Sequence, residues 1–347
     1  MTSSSPPSPD AHYPLRVARV VDETRDARSI VFEIPTALAG RFRYEAGQFL
    51  TLSIVVDGVR LKRCYSFSSS PARDREAKIT VKRVQAGRAS NWLNDHIRAG
   101  DVLDVQVPAG RFVLHPGAGP LVFFAGGSGI TPVISIVKTA LLTTAREVRL
   151  VYANRDEQSV IFAAELAELA RTHGARLSTI HRLDSREGPI AARDVAAAVV
   201  PDATYYLCGP GPFMELVENA LAKAGVPAER VHVERFVSAA DSPPPERAAA
   251  PAGELPTRVS IELEGAQHEV PYLPGSTLLE SALAAGVDAP YSCREGFCGS
   301  CTALLVEGKV TMDAEDALTE AAKKKGLVLA CQARPTTQVC SIRFVDY

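Results

Sequence analysis

The chain has 347 residues, too many for one small hydrophobic core, and this length fits two or three domains. Hydrophobic residues make up 46% and charged residues 22% of the chain, as in an ordinary globular protein. The formal net charge of −2 excludes a general electrostatic attraction to nucleic acid or to an anionic membrane. The sequence shows no signal peptide and no apolar run long enough to span a bilayer, so we expect a protein of the cytoplasm. We also expect a monomer.

In chain order, the sequence divides into three predicted domains with a tail and a linker. Residues 1–13 are polar and rich in Pro and Ser, which predicts a disordered tail. Short strand patterns with turn signals and one helical insert fill residues 14–116, which indicates an antiparallel β-barrel. Strand and helix patterns alternate over residues 117–236, as is typical of a doubly wound α/β domain with a parallel sheet. A Pro/Ala-rich linker, 237–256, precedes the last domain, 257–347.

The last domain begins with a hairpin pattern and a helix, followed by a group of cysteines. The helix is predicted over Ser276–Ala285, with Ser276 or Thr277 as its cap. The seven cysteines of the chain are Cys64, Cys208, Cys293, Cys298, Cys301, Cys331 and Cys340. Because this count is odd and five of the seven cysteines lie in the last domain, four of them in one spaced group, metal binding or redox chemistry is favoured over a disulfide framework.

Four cysteines follow the spacing C-x4-C-x2-C-x29-C, which is the pattern of a plant-type [2Fe–2S] site. The predicted iron ligands are Cys293, Cys298, Cys301 and Cys331. Gly296 and Gly299 would let backbone N–H groups approach the sulfurs. The alternative, a structural zinc site, usually has two C-x2-C pairs, whereas only Cys298 and Cys301 form such a pair here.

Two segments of the predicted barrel suit a flavin nucleotide. Arg63, Tyr65 and Ser66 end a strand and offer a cation for phosphate, a ring for the isoalloxazine and a hydroxyl for its N5 region. Residues 87–91, GRASN, form a turn of small residues before a helix, whose N-terminal N–H groups suit a pyrophosphate. Alone, the first segment is an ordinary strand end and the second a hairpin turn with an N-cap serine. Together they predict a flavin site.

The main nucleotide-binding pattern of the α/β domain is GGSGITP, residues 126–132. It follows a predicted strand and opens a helix, for which we predict Thr131 as the N-cap and Pro132 in the first turn. The spacing differs from G-x-G-x-x-G, but glycines at a helix N-terminus allow the same close approach of phosphate. An ordinary strand-to-helix turn is the alternative.

Three later strand ends are expected at the same edge of the parallel sheet. Asn154 and Arg155 stand where the ribose end of a dinucleotide would lie, and Arg155 suits either a 2′-phosphate or a solvated loop. Cys208 and Gly209 are placed to touch a nicotinamide. Phe236 adds an aromatic ring after the last predicted strand.

The motifs resemble those of the ferredoxin–NADP reductase superfamily, in the order RCYS, GRASN, GGSGITP, YANRD, CGPGPF and then the cysteine group. More narrowly, residues 14–347 resemble flavoprotein reductases that carry a C-terminal plant-type ferredoxin domain of α+β (β-grasp) fold. They are most similar to the reductase components of 3-ketosteroid 9α-hydroxylases, with the reductases of phenylacetyl-CoA epoxidase and phthalate dioxygenase as neighbours. The segments RCYSFSSSP, AGGSGITPVISIVK and APYSCREGFCGSC carry this resemblance.

The resemblance implies FAD, rather than the FMN of the phthalate enzyme, and electron transfer from NADH through FAD and a [2Fe–2S] cluster to a terminal oxygenase. NADPH stays open as the donor because of Arg155. The implied partner is a Rieske-type 3-ketosteroid 9α-hydroxylase, with phenylacetyl-CoA epoxidase or another ring-hydroxylating oxygenase as the alternative. The non-enzyme alternative is a redox sensor or electron carrier whose nicotinamide site no longer works.

The resemblance also assigns roles to individual residues. The residues expected to bind FAD or the nicotinamide are Arg63, Tyr65, Ser66, Lys82, Gly87, Ala89, Ser90, Gly127, Ser128, Gly129, Thr131, Asn154, Arg155, Cys208 and Gly209. The residues expected beside the transferred hydride are Ser66, Cys208 and Phe236.

Overall fold

The computed structural model describes two stretches of the chain, residues 11–236 and residues 255–345, without positions 292, 297 and 316. These residues form two compact units, Met1–Arg235 and Phe236–Tyr347. The predicted linker, 237–256, lies almost wholly outside the described residues, as does most of the predicted tail, 1–13. In the described part of the chain, no helix is both long and apolar enough to cross a membrane.

The first unit begins with a six-stranded antiparallel sheet. Its elements are β1 (Tyr13–Thr24), β2 (Ala27–Glu33), β3 (Phe49–Val56), β4 (Val59–Ser66), β5 (Ala77–Lys82), α1 (Arg88–His96) and β6 (Val102–Val105), with a 3-10 turn at Thr36–Leu38. The strand order is β4-β3-β6-β1-β2-β5, and a bridge between Phe67 and Ile79 joins the chain after β4 to β5. The antiparallel β-barrel predicted from the sequence is confirmed.

Strand alternation decides which side chains fill the barrel. On β1, Leu15 and Val17 are fully buried, whereas Arg16 between them is exposed, as the two-residue period of a strand requires. Helix α1 adds Ala89 and Leu93 to the same core. Burying an aliphatic side chain of the size of Val or Leu stabilises the fold by about 1.5–3 kcal/mol, so this alternation fixes the register of the strands.

The rest of the first unit is an α/β fold around a five-stranded parallel sheet. Its helices and strands are β7 (Leu121–Gly126), α2 (Ile130–Thr143), β8 (Val148–Asn154), α3 (Ala163–His173), β9 (Leu177–Leu183), α4 (Asp184–Glu187), α5 (Ala192–Ala198), β10 (Thr204–Gly209), α6 (Gly211–Lys223) and β11 (Val231–Arg235). Three 3-10 turns lie at Gly127–Gly129, Glu157–Ser159 and Ala228–Arg230.

Helices cover both faces of this sheet, whose strand order is β11-β10-β7-β8-β9. Phe123 of β7 packs in one hydrophobic cluster with α2 and α3, and the next residue, Phe124, packs in another with α5 and α6. The predicted doubly wound domain is therefore confirmed. The carboxyl ends of β7, β8, β10 and β11 meet at one edge, the edge at which folds of this kind bind nucleotides.

The second unit is built on a mixed five-stranded sheet. Its elements are β12 (Arg258–Leu263), β13 (Ala266–Pro271), α7 (Leu278–Ala284), β14 (Thr302–Glu307), β15 (Val310–Met312), α8 (Glu320–Lys324), β16 (Leu327–Leu329), β17 (Ala333–Pro335) and β18 (Ser341–Phe344). The strand order is β13-β12-β18-β14-β16, and β15 pairs with β17 in a separate ladder.

Helix α7 is the helix predicted near residue 280, and its start shows why it forms there. The Thr277 hydroxyl accepts from the Glu280 N–H at 3.1 Å, and the Glu280 carboxylate accepts from the Thr277 N–H at 2.8 Å. This capping box satisfies two N–H groups that the helix cannot pair internally. Leu278 and Leu279 then join the core of the sheet, so the predicted α+β class of this domain is confirmed.

Candidate cofactor and hydride-transfer site

The turn between β7 and α2 brings four of the predicted nicotinamide-binding residues to the edge of the parallel sheet. Gly127 has a φ of 51°, a left-handed conformation that favours glycine. A Cβ atom on Gly129 would lie 2.1 Å from the carbonyl oxygen of Cys208, so only glycine lets the turn pack on the end of β10. The predicted cap is wrong, because the helix starts after Gly129 and the Thr131 hydroxyl donates to the Ser128 carbonyl at 3.0 Å. Since no described side chain caps α2, its first N–H groups suit a phosphate.

Three polar side chains meet where the barrel faces this turn. Ser66, at the end of β4, donates from Oγ to Oε2 of Glu234 at 3.3 Å. Glu234 of β11 is aligned with Cys208 of β10 in the parallel sheet. Burial, and after it the charge of Glu234, raises the pKa of the Cys208 thiol well above its ordinary value. Cys208 therefore keeps its proton at neutral pH.

Glu234 is not among the residues predicted from the sequence. The available signal was a carboxylate inside a strand pattern, VHVER, at a position that a parallel sheet sets beside Cys208. Phe236, which was predicted near the flavin, is 40% exposed and follows the last residue of β11.

The predicted isoalloxazine and phosphate residues lie on β4. Arg63 and Tyr65 stand two positions apart, which places them on one face of the strand, and both are half-buried. Directly after the strand, the Phe67 ring stacks on Tyr44 with centroids 3.8 Å apart, and the Tyr44 hydroxyl is hydrogen-bonded to Ser69 Oγ at 2.7 Å. These contacts hold the end of β4 and the segment after it in place.

In the turn predicted to bind the pyrophosphate, the Ser90 side chain is hydrogen-bonded to the backbone just before the turn. Gly87 is the N-cap of α1, and a Cβ atom there would lie 2.7 Å from Ser90 Oγ. Ser90 Oγ accepts from the Val84 N–H at 3.1 Å, and a hydroxyl that accepts one bond keeps a hydrogen to donate. The Ala89 side chain is buried in the barrel core, so it offers a ligand only its backbone N–H. The turn fits a phosphate group through its backbone.

Lys82 and Arg155 lie where the barrel meets the sheet edge. Lys82 Nζ is 3.5 Å from the position that a Cβ atom on Gly127 would take, which places the ammonium beside the turn Gly127–Gly129. Burial lowers the pKa of Lys82, and the charge of Asp26 opposes this effect. Arg155 donates from Nη2 to Oδ2 of Asp26 at 2.9 Å. The Arg155 guanidinium, which was predicted either to bind a 2′-phosphate or to be solvated, is therefore already paired with the carboxylate of Asp26 from the barrel.

Asn154 ends β8 as a buried carboxamide next to the Tyr152 hydroxyl, which itself donates to the Gly127 carbonyl at 3.1 Å. Among the described residues, neither Oδ1 nor Nδ2 of Asn154 has a hydrogen-bond partner of good geometry. Leaving a buried polar group unpaired costs about 1–3 kcal/mol, which a nucleotide hydrogen-bonded to this amide would recover.

The four predicted iron ligands form two close pairs of thiols. The backbone N–H groups of Cys293 and Cys298 each donate to the other residue's sulfur at 3.4 Å, and the thiols of Cys301 and Cys331 are hydrogen-bonded to each other. Within the described residues, no group of three or more His, Cys, Asp or Glu side chains is placed to hold a single metal ion. Two thiol pairs fit a cluster of two irons better than one tetrahedral zinc.

The loop around these thiols supplies N–H donors to sulfur, as a negatively charged cluster requires. Three residues of the loop adopt positive φ angles: Arg294 (59°), Gly296 (80°) and Gly299 (70°). The Glu295 N–H donates to Cys293 Sγ at 3.4 Å, and Gln332 Nε2 donates to Cys331 Sγ at 3.5 Å. A hydrogen bond from Cys293 is the largest of the effects that lower the pKa of Cys298 to about 6. The donor set and its surroundings fit a [2Fe–2S] cluster.

Comparison with known proteins identifies the domains and the family of the chain. Family models match an oxidoreductase FAD-binding domain at residues 14–114, an oxidoreductase NAD-binding domain at 123–219 and a 2Fe-2S iron-sulfur cluster binding domain at 261–336. The ferredoxin reductase component of a Rhodococcus rhodochrous 3-ketosteroid-9-alpha-monooxygenase is 45% identical over 352 residues, which cover 99% of this chain and 100% of the relative. The chain belongs to this family of reductase components.

Other relatives of this reductase serve different systems. One subunit of the Escherichia coli K12 1,2-phenylacetyl-CoA epoxidase is 33% identical over 350 residues, or 96% of this chain and 97% of the relative. The solved structure of phthalate dioxygenase reductase matches with a TM-score of 0.62 and 26% identity, covering 97% of this chain and 100% of that one. The resemblance to flavoprotein reductases with a C-terminal ferredoxin domain is confirmed, and the protein is an NAD(P)H-dependent oxidoreductase with FAD and [2Fe–2S] domains.

Proposed function

We propose that this reductase transfers electrons from NADH to a separate terminal oxygenase, namely a Rieske-type 3-ketosteroid 9α-hydroxylase. FAD, when bound, would supply the chemistry that links the two-electron hydride of a nicotinamide to the one-electron reduction of a [2Fe–2S] cluster. The observation that carries the proposal is the meeting of Ser66, Glu234 and Cys208 beside the glycine turn of α2. Ser66, a barrel residue suited to the flavin, and Cys208, a sheet residue suited to the nicotinamide, therefore lie close together.

The residues of the barrel would bind and orient FAD. Arg63 would bind its phosphate, Tyr65 would pack on the isoalloxazine, and the backbone of residues 87–90 would hold the pyrophosphate. The Ser66 hydroxyl would lie near N5, and Glu234, which accepts its hydrogen, would orient its oxygen. Cys208, buried and protonated, would close the nicotinamide side against water without adding charge.

The residues of the sheet edge would bind the nicotinamide nucleotide, with NADH preferred. Its phosphates would lie on the turn of Gly127 to Thr131, with the ammonium of Lys82 nearby. Asn154 would hydrogen-bond the nucleotide through its buried amide. A 2′-phosphate bound by Arg155 would have to compete with Asp26, and this competition supports NADH over NADPH.

The cysteine pairs of the second unit would hold the cluster. Cys293 and Cys298 would bind one iron, and Cys301 and Cys331 the other, in line with the two thiol pairs of the loop. We further propose domain boundaries at 14–116, 117–236 and 257–347. We also propose a monomer in the cytoplasm. The small net charge of −2 gives it no general electrostatic attraction to nucleic acid or to anionic membranes.

The choice of oxygenase rests on the relatives. The 45% identity with the reductase component of a 3-ketosteroid-9-alpha-monooxygenase supports the steroid enzyme as the partner. The 33% identity with the phenylacetyl-CoA epoxidase subunit supports that epoxidase as the second candidate.

Two measurements test the proposal in sequence. Anaerobic titration with NADH, and in parallel with NADPH, should bleach the flavin and cluster bands, taking two electrons per flavin and one per cluster, with NADH effective at the lower concentration. The reductase is then combined with a purified 3-ketosteroid 9α-hydroxylase or with the phenylacetyl-CoA epoxidase oxygenase. Hydroxylated steroid formed at the expense of NADH supports the proposal. Flavin that neither nucleotide reduces, or product from the epoxidase alone, would refute it.

A further inference from the structure

A buried lysine ties helix α2 to the barrel. The Lys138 side chain is 0% exposed, and its Nζ donates to Ser68 O at 2.8 Å, Asp74 Oδ2 at 2.7 Å and Glu165 Oε1 at 2.8 Å. An ammonium group has three N–H bonds, so these acceptors use all of them. Ser68 and Asp74 belong to the barrel segment between β4 and β5, whereas Glu165 belongs to α3 of the α/β fold.

The same face of α2 makes two more contacts with this barrel segment. Ser135 Oγ donates to the Ser69 carbonyl at 2.6 Å, and Thr139 Oγ1 is hydrogen-bonded to Ser70 Oγ at 2.7 Å. Positions 135, 138 and 139 lie on one helix face because they are three and four residues apart. That face therefore contacts three consecutive barrel residues, all of them buried.

Both sides of this junction lead to the reacting centre. At its N-terminal end, α2 begins directly after the turn Gly127–Gly129, where the nicotinamide would bind. On the barrel side, Ser66 precedes Ser68 by two residues. Sliding of α2 along the barrel would leave the buried ammonium or its carboxylates without a partner, which is energetically costly. The junction therefore sets how far the turn lies from Ser66.

The Asp74 carboxylate of the junction is held in its ionised form. Burial tends to raise the pKa of Asp74, but the charge and hydrogen bond of Lys138, together with the Ser70 N–H and the charge of Lys78, leave that pKa below its ordinary value. A second lysine, Lys78 of β5, lies 3.5 Å from Glu165 and 4.0 Å from Glu23. Lys78 thus shares the Glu165 carboxylate with Lys138. These two ion pairs of Lys78 join β5 to α3 and to β1, and neither involves α2.

We propose that Lys138 is a positioning residue, which fixes the nicotinamide turn against the flavin side of the barrel for hydride transfer. The proposal rests on the function proposed above and adds a residue that acts only through α2 and Ser68. Hydride transfer needs the reacting atoms about 3–3.5 Å apart, and a displacement of about 1 Å can lower the rate about 100-fold.

The test compares Lys138→Met with the matched control Lys78→Met, which removes the same charge from the same group. Anaerobic stopped-flow with NADH gives the rate constant of flavin reduction and the Kd for NADH. Lys138→Met should lower the rate constant about 30- to 100-fold while the Kd changes less than about threefold, and Lys78→Met should change both less than about threefold. Hydrogen exchange of the FAD-loaded full chain, measured without NADH, adds a readout independent of turnover. It should quicken over residues 67–76 and 130–140 in Lys138→Met only.

Three results would overturn the proposal: a wild-type rate in FAD-loaded Lys138→Met, an equal loss in Lys78→Met, or unchanged hydrogen exchange. If Lys138→Met does not fold, Asp74→Asn and Ser135→Ala each remove one contact of the junction, and wild-type rates and exchange in both would also overturn it. Failure of NADH to reduce the wild-type flavin would count against the proposed function alone, because the hydrogen-exchange measurement, made without NADH, tests the junction separately.

Discussion

Replacing Gly129 by alanine should separate the turn Gly127–Gly129, where we propose that the nicotinamide nucleotide binds, from β10 by a predictable distance. The new Cβ atom would lie 2.1 Å from the Cys208 carbonyl oxygen, whereas ordinary van der Waals contact begins at 3.4 Å. The turn and the strand must therefore move apart by about 3.4 − 2.1 = 1.3 Å. Both groups are backbone, so neither can rotate away as a side chain would. A shift of about 1 Å at a reacting centre lowers the rate about 100-fold, which corresponds to about 2.7 kcal/mol of activation free energy.

Stopped-flow reduction of the flavin by NADH measures this loss, with Gly211→Ala as the control. Gly211 opens α6 near the same sheet edge, and a Cβ atom there would meet nothing within 4 Å. Gly211→Ala should keep the wild-type rate, and Gly129→Ala should lose about 100-fold with its FAD content unchanged. If folded Gly129→Ala reduces its flavin within about threefold of the wild-type rate, the close packing of this turn does not position the nicotinamide.

Three further changes have directions set by the structure. Glu234→Gln should slow flavin reduction about 10- to 100-fold, because Ser66 loses its charged acceptor, and an unchanged rate in stopped-flow would contradict this role. Burial and then His115 lower the pKa of His232 to about 4, below the ordinary 6.5, so the native state resists its protonation. Stability should therefore be full above pH 6.5 and fall as the pH drops toward 4. Urea unfolding should show this loss reduced in His232→Phe but not in the control His173→Gln. Cys331→Ser should abolish the cluster absorbance while NADH still bleaches the flavin, and an intact cluster spectrum would exclude Cys331 as a ligand.

Patterns local in sequence predicted most of this fold. The barrel and the parallel sheet follow from strand alternation and from the strand–helix repeat, which are properties of short segments. The cysteine spacing and the GGSGITP turn are also local, and the structure brings the cysteines together in pairs. The cap of α2 was predicted wrongly at Thr131, because the 3-10 turn Gly127–Gly129 starts the helical conformation earlier than the side-chain pattern indicates.

Contacts between distant segments could not be predicted in this way. Ser66 and Glu234 are 168 residues apart, and they meet only because the barrel packs on the sheet edge. Lys138 stands in an apolar helix pattern that does not specify its partners Asp74 and Glu165. Arg155 is similar, since its carboxylate partner comes from the turn between β1 and β2. In each case the partner is set by how two domains pack, which no short segment determines.

The Cys208 thiol is protected from damage by the same burial that raises its pKa. Peroxide and alkylating reagents attack the thiolate, and they need access to the sulfur. Cys208 is 0% exposed and keeps its proton, so it offers neither. The sulfur atom of Cys208 can therefore stay reduced at the sheet edge where we propose that the nicotinamide binds.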